Sequence, residues 1–208
     1  MDSYLRDLTA RNDQGLTGRL QAATVGIAGC GGLGSNVAVA LARAGLGRLV
    51  LVDADSVEIS NLNRQHFFKD DLGRAKVLAL ADTLRKINPG IQLETKQVRI
   101  GSGNLWELFS ACDVIVEAFD TAEDKSMAMQ GFADERFHTK FLVAASGLAG
   151  RESSNLIQTR RLARNIFVCG DTTTGSDGRH GLMAPRVMIA AGHQANMVVR
   201  ILAGEFAP

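Results

Sequence analysis

The sequence predicts an α/β fold: a Rossmann-like, mostly parallel sheet flanked by helices, with extra antiparallel strands near the C-terminus. From Ala22 onward, short apolar runs alternate with segments of helical period, the order that specifies a parallel sheet covered by helices. A glycine-rich turn follows the first apolar run, and acidic residues end the second. After Gly147 the pattern changes to two shorter alternating runs, which supply the antiparallel strands.

The elements follow from this alternation. Strands are predicted at 23–29, 47–55, 91–98, 112–119 and 140–146, and helices at 34–45, 73–89, 104–111 and 122–137. The second, fourth and fifth strands are apolar throughout, which favours burial on both faces. The antiparallel strands are predicted at 153–160 and 164–170, and a final helix runs over 185–205 with Pro185 at its start. Residues 171–181 have a loop composition and form a candidate lid.

Length and composition indicate one compact domain over 1–208, with residues 1–20 as an N-terminal helical arm. The 208 residues are 46% hydrophobic, enough for a real core, and the net charge of +1 gives no electrostatic support for nucleic acid or a membrane as partner. The first 13 residues are polar and the apolar runs are short, so we expect a cytoplasmic protein. The chain has only three cysteines, and they are not spaced as metal pairs, so a four-cysteine zinc site within one chain is excluded.

The glycine-rich turn carries the first functional signal. Gly29, Gly31 and Gly34 fit the G-x-G-x-x-G spacing between a strand and a helix, and Asp53 ends the next strand 19 residues after Gly34. Glycines at these positions let backbone amides at the positive end of a helix approach a phosphate or a ribose. The motif predicts a nucleotide site, and by itself it leaves NAD and ATP equally open.

A polar cluster after the second strand favours ATP. Arg64 follows that strand by about a dozen residues, and Lys76 lies in the first turn of the next helix, so both side chains can converge over one end of the sheet. An enzyme that splits ATP between its first and second phosphates needs such cations where charge develops. Asn61, Asn63 and Gln65 would supply neutral donors, which a nicotinamide enzyme has no evident need for.

Asp120 ends the fourth strand at the carboxyl edge, where open α/β sheets bind ligands. Magnesium takes one or two protein carboxylates plus phosphate oxygens, so Asp120 is a candidate magnesium ligand. The alternative is that Asp120 caps the helix that follows it. Glu117 lies in the same strand, and the sequence does not determine which face of the sheet its side chain points to.

Five segments together resemble the ThiF/MoeB/HesA family of ubiquitin-activating-enzyme-like adenylyltransferases, over residues 20–203. These are GCGGLGSN, VDADSVEISNLNRQ, GRAK, FDTAED and GLMAPRV…HQAN. The resemblance implies a nucleotidyltransferase that uses magnesium ATP to adenylylate the C-terminal glycine of a ubiquitin-like sulfur carrier ending in Gly-Gly, with release of pyrophosphate.

The resemblance also implies roles for particular residues. Asp53 would hold the ribose, residues 61–64 and Lys76 the phosphates, and Asp120 the magnesium ion. The expected catalytic residues are Arg64, Lys76, Asp120 and Arg11. The expected nucleotide-binding set is Gly29, Gly31, Gly32, Gly34, Asp53, Asp55, Asn61, Asn63, Arg64, Gln65, Lys76 and Asp120.

The sequence departs from the family pattern at two places. Many relatives carry two C-x-x-C pairs for a structural zinc ion, and this chain has none, so no zinc is expected. Relatives also use an N-terminal arginine in an R-Y-x-R-Q setting, often delivered by the other subunit of a dimer. Here the setting is SYLRDLTARND, which leaves Arg6 and Arg11 as candidates, with Arg11 preferred. Cys169 is either a sulfur-handling thiol or a buried small residue.

The main hypothesis is therefore activation of a ThiS-like carrier in thiamine thiazole biosynthesis by a short, zinc-free family member. The alternatives are activation of a molybdopterin-type carrier, an NAD(P)-dependent oxidoreductase that uses only the glycine fingerprint, and a non-catalytic partner subunit of an activating enzyme. A homodimer is expected, because the last helix is apolar on more than one side and can cover both the sheet and a twin chain.

Overall fold

The protein is built on one seven-stranded sheet, seen in a computed structural model that describes residues 3–175 and 180–208. The strands are β1 (Thr24–Ala28), β2 (Arg48–Val52), β3 (Gln92–Lys96), β4 (Val114–Glu117), β5 (Phe141–Ala145), β6 (Gln158–Ala163) and β7 (Ile166–Gly170), in the order β3-β2-β1-β4-β5-β7-β6. Neighbouring strands pair parallel, except that β6 and β7 pair antiparallel. The predicted fold class is confirmed, and β6 alone runs against the other strands.

The helices cover both faces of this sheet. They are α1 (Ser3–Leu8), α2 (Leu16–Ala22), α3 (Gly32–Arg43), α4 (Lys76–Ile87), α5 (Leu105–Phe109), α6 (Ala122–Phe132) and α7 (Ala184–Ala203). Pro185 lies in the first turn of α7, as predicted, because the missing N–H of proline has no partner there in any case. None of the helices within the described ranges is both long and apolar enough to cross a membrane.

The core consists of two layers, one on each face of the sheet. Ile27 and Leu51 point from β1 and β2 into the layer shared with α3, α4 and α7. Val50 and Val52 point the other way, into a smaller layer shared with α5 and α6. Since neighbouring residues of a strand face opposite sides, this arrangement requires apolar side chains at every position, which explains the continuous apolar runs.

Several predicted boundaries were wrong, and three of them concern helix α4, helix α6 and strand β6. Helix α4 begins at Lys76 rather than at residue 73, because Ala75 pairs with Ser56 in an isolated β-bridge. Helix α6 ends at Phe132, and Asp134 then caps a separate 3₁₀ turn. The strand expected over 153–160 is a 3₁₀ turn followed by β6, which begins at Gln158 and continues to Ala163.

The strand order creates the position of the site. Strand β1 lies between β2 and β4, so the chain leaves β1 toward one side of the sheet and later returns to its other side. The connections that follow β1 and β4 therefore diverge at the carboxyl ends of these strands and leave a crevice between them. Ligands of open α/β sheets bind in such crevices.

The glycine turn brings α3 unusually close to the end of β1. A Cβ atom on Gly34 would lie 1.8 Å from the carbonyl oxygen of Gly29 and 2.9 Å from Cγ2 of Ile27. The first turn of α3 therefore rests directly on the backbone that enters it, and no larger residue fits at Gly34.

We predict that Gly34→Ala lowers the free energy of unfolding by about 1 to 3 kcal/mol, because the added methyl group must displace backbone rather than a flexible side chain. The matched control is Gly192→Ala in the exposed part of α7, where a Cβ atom meets nothing within 4 Å. That control should gain about 0.5 to 1 kcal/mol from helix propensity. Urea unfolding of both variants measures the difference; equal stabilities would contradict the packing argument.

Candidate functional site

The carboxyl ends of the central strands surround a cleft of about 630 Å³. Its walls come from the glycine turn and from the loops after β2, β3, β4, β5 and β7. Nine residues of the predicted nucleotide-binding set line it: Gly29, Gly31, Gly32, Asp53, Asp55, Arg64, Gln65, Lys76 and Asp120. The fold thus brings most of the predicted site into one place, and contact of these residues with a nucleotide stays a prediction.

The glycine turn leaves backbone exposed to the cleft. Gly29 has a φ of +95°, and a Cβ atom there would lie 2.9 Å from the carbonyl oxygen of Ala118 at the end of β4, so only glycine is accommodated. Gly31 lines the cleft, and the nearest atom to a Cβ on it would be Nε2 of Gln65 at 3.6 Å. Helix α3 begins at Gly32, so its positive end faces the cleft and favours an anionic ligand.

Asp53 is held by the backbone of its neighbours. One carboxylate oxygen accepts a hydrogen bond from the Cys30 amide at 2.6 Å, and the other accepts one from the Asp55 amide at 2.8 Å. Burial raises the pKa of Asp53, and the hydrogen bonds from Asp55 and Cys30 offset this effect only in part. A half-buried carboxyl group with a raised pKa is typical of a binding site, because its burial costs stability that a purely structural residue would not need to cost.

The two predicted cations both lie on the cleft wall. Nζ of Lys76 lies 2.7 Å from a carboxylate oxygen of Asp55, and Lys76 is only 7% exposed. Arg64 donates to the carbonyl oxygen of Ser60 at 3.1 Å and to the side-chain oxygen of Asn63 at 2.7 Å. Within the described ranges no carboxylate forms a salt bridge with Arg64, so its guanidinium retains capacity for an anionic ligand.

The two asparagines hold the segment that carries Arg64. The side-chain oxygen of Asn61 accepts from the Glu58 amide at 3.0 Å and closes a 3₁₀ turn. Asn63 donates to the carbonyl oxygen of Leu182 at 3.4 Å, which ties this segment to the approach to α7. Neither asparagine is among the described residues that line the cleft. Their direct role on phosphates stays a prediction, and the contacts seen here fix the backbone beneath Arg64.

Two other predicted residues also lie away from the lining. Gly34 is covered by the turn that precedes it, so its contribution is to close packing. Arg11 is exposed between α1 and α2, and Arg6, in α1, is exposed as well. Neither arginine is among the described residues of the cleft wall, so a role in the site would require delivery from a second subunit.

Asp120 lies exposed on the loop after β4 and lines the cleft. It is not the helix cap: the side chain of Thr121 accepts the Asp124 amide at 3.1 Å and caps α6, so that alternative was wrong. Asp124 lines the cleft as well. Magnesium fits these donors, because it takes one or two carboxylates and completes its shell with phosphate oxygens and water. No cluster of three metal-ligating side chains is found in the described part of the chain.

Lys125 is a cleft residue that the sequence analysis missed. Its Nζ lies 2.9 Å from a carboxylate oxygen of Glu117 and donates to the carbonyl oxygen of Ala145 at 2.9 Å. The Glu117 side chain is buried and also accepts from the Phe119 amide at 2.8 Å, which settles its direction. The available signal was position: Lys125, like Lys76, lies in the first turns of a helix that follows a buried strand.

The loop after β7 is anchored by a buried ion pair between Asp171 and Arg186, whose side chains are both 4% exposed. Arg186 also donates to the carbonyl oxygens of Ala149 at 3.1 Å and Glu152 at 2.7 Å. The pair therefore joins this loop, α7 and the segment after β5. Residues 172–175 line the cleft beside the anchor. The rest of the candidate lid includes residues 176–179, which lie outside the described residues.

The Asp171 carboxylate is strongly stabilised in its ionised form. Burial by itself raises its pKa, but hydrogen bonds from the amides and hydroxyls of Thr174 and Thr173 outweigh burial and lower the pKa to about 2. Arg186 adds a charge-assisted hydrogen bond to the same carboxylate. One ionised side chain thus accepts the hydrogen bonds at the start of this loop.

The three thiols are buried, and Cys169 is not exposed to the cleft. Burial raises the pKa of Cys169 to about 11 and that of Cys112 to about 12, and it raises the pKa of Cys30 well above its usual range. A nucleophilic cysteine needs a thiolate and access. The structure therefore supports the interpretation of Cys169 as a buried small residue.

The fold and this cleft define a Rossmann-like α/β protein with cationic side chains and the start of helix α3 at its topological switch point. The chain belongs to the ThiF family, which it matches over residues 4–208. The resemblance drawn from the sequence motifs is thereby confirmed.

Two named relatives and one solved structure show what the chain is similar to. It is 35% identical over 130 residues to ubiquitin-like modifier-activating enzyme 5 of Drosophila ananassae. This match covers 57% of the present chain and 33% of the relative. It is 40% identical over 103 residues to the sulfur carrier protein adenylyltransferase of Thermus thermophilus, covering 49% and 38%. The chain thus spans well under half the length of these curated relatives.

The fold matches that of the E. coli tRNA N6-threonylcarbamoyladenosine dehydratase TcdA, solved in complex with ATP, with a TM-score of 0.87. The match covers 98% of this chain and 96% of that chain at 20% sequence identity. This likeness confirms the predicted architecture.

We predict that Asp171→Asn destabilises the protein at pH 7, because it leaves the buried Arg186 without its counter-charge. The folded pKa of about 2 lies below the ordinary value of about 4, so the ionised group stabilises the fold above pH ~4. That contribution is lost as the pH falls toward about 2. The stability difference between wild type and Asp171→Asn should therefore shrink from pH ~4 to pH ~2.

Guanidinium unfolding across this pH range measures the difference. The exposed Asp13→Asn variant is the control and should follow the wild type at every pH. A difference between wild type and Asp171→Asn that is independent of pH would show that the charge of Asp171 does not anchor the loop.

Proposed function

We propose that the protein is an ATP-dependent adenylyltransferase that activates the C-terminal glycine carboxylate of a ubiquitin-like sulfur carrier. The observation that carries the proposal is that Arg64, Lys76 and Asp120 line the same cleft as the glycine turn and Asp53. Membership of the ThiF family supports it, as does similarity to relatives named as a sulfur carrier adenylyltransferase and a ubiquitin-like modifier-activating enzyme.

The reaction needs positioning rather than a side-chain nucleophile. A carboxylate oxygen of the carrier attacks the α-phosphorus of ATP, and the bond from that phosphorus to the oxygen bridging to the β-phosphorus breaks. The electron pair leaves with pyrophosphate, and the product is an acyl-adenylate. No proton is transferred, so the protein contributes by aligning two anions and by neutralising the charge that moves onto the leaving group.

Different residues of the cleft suit different parts of the ATP molecule. The exposed amides of the glycine turn, at the positive end of α3, suit the phosphate nearest the ribose. Asp53 faces the cleft and suits the ribose hydroxyls. Lys76 offers a charge held in place by Asp55, and Arg64 offers a planar fork of donors, so both suit the pyrophosphate end of ATP.

Asp120 would hold a magnesium ion, with Asp124 on the same wall of the cleft. When bound, magnesium neutralises phosphate charge and stabilises the leaving pyrophosphate. Arg11 of a second subunit would add a further cation in a homodimer, which the exposure of Arg11 permits.

We further propose a ThiS-like carrier of thiamine thiazole biosynthesis as the substrate, with a molybdopterin-type carrier as the alternative. An NAD(P)-dependent oxidoreductase leaves Arg64 and Lys76 without a role. A non-catalytic partner subunit leaves unexplained why the buried Lys76 and the half-buried Asp53 are kept at one cleft, since burying charged groups costs stability.

We predict that Arg64→Ala and Asp120→Ala each lower the rate of carrier-dependent exchange of labelled pyrophosphate into ATP by about 100-fold, because each removes a group that stabilises charge in the transition state. The matched control is Arg43→Ala, which removes an exposed arginine of α3 outside the cleft and should exchange like the wild type. A carrier that lacks its final glycine should support no exchange.

Wild-type exchange rates in both variants would contradict the proposal. Titration with NADH separates the oxidoreductase alternative: a fluorescence change that saturates at micromolar NADH, with no exchange activity, would favour a redox enzyme. Binding of ATP without exchange in the presence of carrier would favour the non-catalytic subunit.

A further inference from the structure

Strands β4 and β5 part at their carboxyl ends, and polar side chains fill the gap. Their register ends at Val116 and Val143. Beyond that point, a carboxylate oxygen of Glu117 accepts from the Ala145 amide at 3.3 Å. The buried Gln194 donates to the carbonyl oxygens of Glu117 at 2.9 Å and Val143 at 3.1 Å. Side chains thus replace the missing backbone pairing, and they do so directly beneath the cleft.

Lys125 is the member of this group that reaches the cleft. Its ammonium group contacts Glu117 and the carbonyl oxygen of Ala145, each at 2.9 Å. An ammonium group has three N–H donors, so these contacts leave one donor for another partner. The Lys125 side chain is 25% exposed and lines the cleft. A ligand in the cleft therefore meets a fixed N–H of a cation that is already paired with a buried carboxylate.

The position of Lys125 relative to the other cations indicates which ligand it suits. Arg64 and Lys76 follow β2 and accompany Asp53, whereas Lys125 follows β4, on the opposite side of β1. Arg99, another cation of the cleft wall, follows β3 and is already paired with Asp124 at 3.3 Å. In phosphoryl transfer the attacking and leaving oxygens lie roughly in line on opposite sides of phosphorus. If Arg64 and Lys76 hold the leaving pyrophosphate, the attacking group approaches from the side of β4 and β5, where Lys125 lies.

We propose that Lys125 binds the attacking carboxylate of the carrier through its remaining N–H and aims that carboxylate at the α-phosphorus. The inference rests on the proposed adenylyltransferase function. Glu117 matters because it already neutralises the ammonium charge. The carboxylate is therefore oriented by one hydrogen bond and is not held as a tight ion pair, which leaves its second oxygen free to attack. That oxygen forms the new bond to phosphorus, and the electron pair departs with pyrophosphate as above.

The test measures the KM values for a ThiS-type carrier and for ATP in pyrophosphate exchange, using the full chain. In Lys125→Met we expect the carrier KM to rise about tenfold or more, because a charge-assisted hydrogen bond is lost, while the ATP KM changes less than about twofold. The control is Lys86→Met, which removes an exposed lysine of α4 outside the cleft and should change neither KM.

A second pair of variants guards against misfolding, since Lys125→Met leaves Glu117 buried without a counter-charge. Glu117→Gln removes that charge, and Glu117→Gln/Lys125→Met removes both charges. The carrier KM of the double variant should exceed that of Glu117→Gln by about tenfold, because only the double variant lacks the lysine donor. Thermal unfolding of all the variants confirms that the proteins compared are folded.

Two results would overturn the assignment of Lys125. Equal carrier KM values for Glu117→Gln and the double variant would show that Lys125 serves only to neutralise Glu117. A proportional rise in the ATP KM would show that its ligand is a phosphate. Absence of exchange in the wild type with both a ThiS-type and a molybdopterin-type carrier is a different outcome, because it removes the adenylyltransferase function itself and the role of Lys125 with it.

Discussion

The site depends on the contact between Gly34 and the carbonyl group of Gly29. Because Gly34 lacks a side chain, α3 starts directly above the end of β1, and its positive end faces the crevice beside β4. The same turn places the Cys30 amide on the carboxylate of Asp53, which fixes the end of β2 relative to the end of β1. One steric constraint thus aligns the two strand ends and the helix that surround the cleft.

Charge around the cleft is arranged as local pairs. Lys76 is paired with Asp55, Lys125 with Glu117, and Arg186 with Asp171. Pairing lowers the free-energy cost of keeping these groups away from water, because an isolated buried charge is strongly destabilising. Arg64 differs, since its donors meet only neutral oxygen atoms among the described residues. An anionic ligand would therefore gain most from Arg64 and would meet the paired lysines as oriented donors.

Much of this arrangement could be predicted from sequence, because it follows from local pattern. Alternating apolar runs determine the strands, and residues that directly follow strands, such as Asp53 and Asp120, must reach the carboxyl edge. The features that could not be predicted depend on contacts between segments that are distant in sequence. The start of α4 is set by the bridge of Ala75 to Ser56, and the role of Lys125 depends on where the Glu117 side chain points. The motif identified Asn61 and Asn63, but it did not predict the hydrogen bonds that they form within the chain.

The burial of all three cysteines has a consequence for how sulfur would be handled. A thiol inside a packed layer, with its pKa raised by burial, meets neither a carrier tail nor an oxidant unless the surrounding structure opens. On the proposed function, this domain would hand over an activated acyl group and form no covalent link to it. The persulfide or other sulfur nucleophile would then come from outside this domain, and the acyl-adenylate would have to survive in the cleft, shielded from hydrolysis, until that encounter.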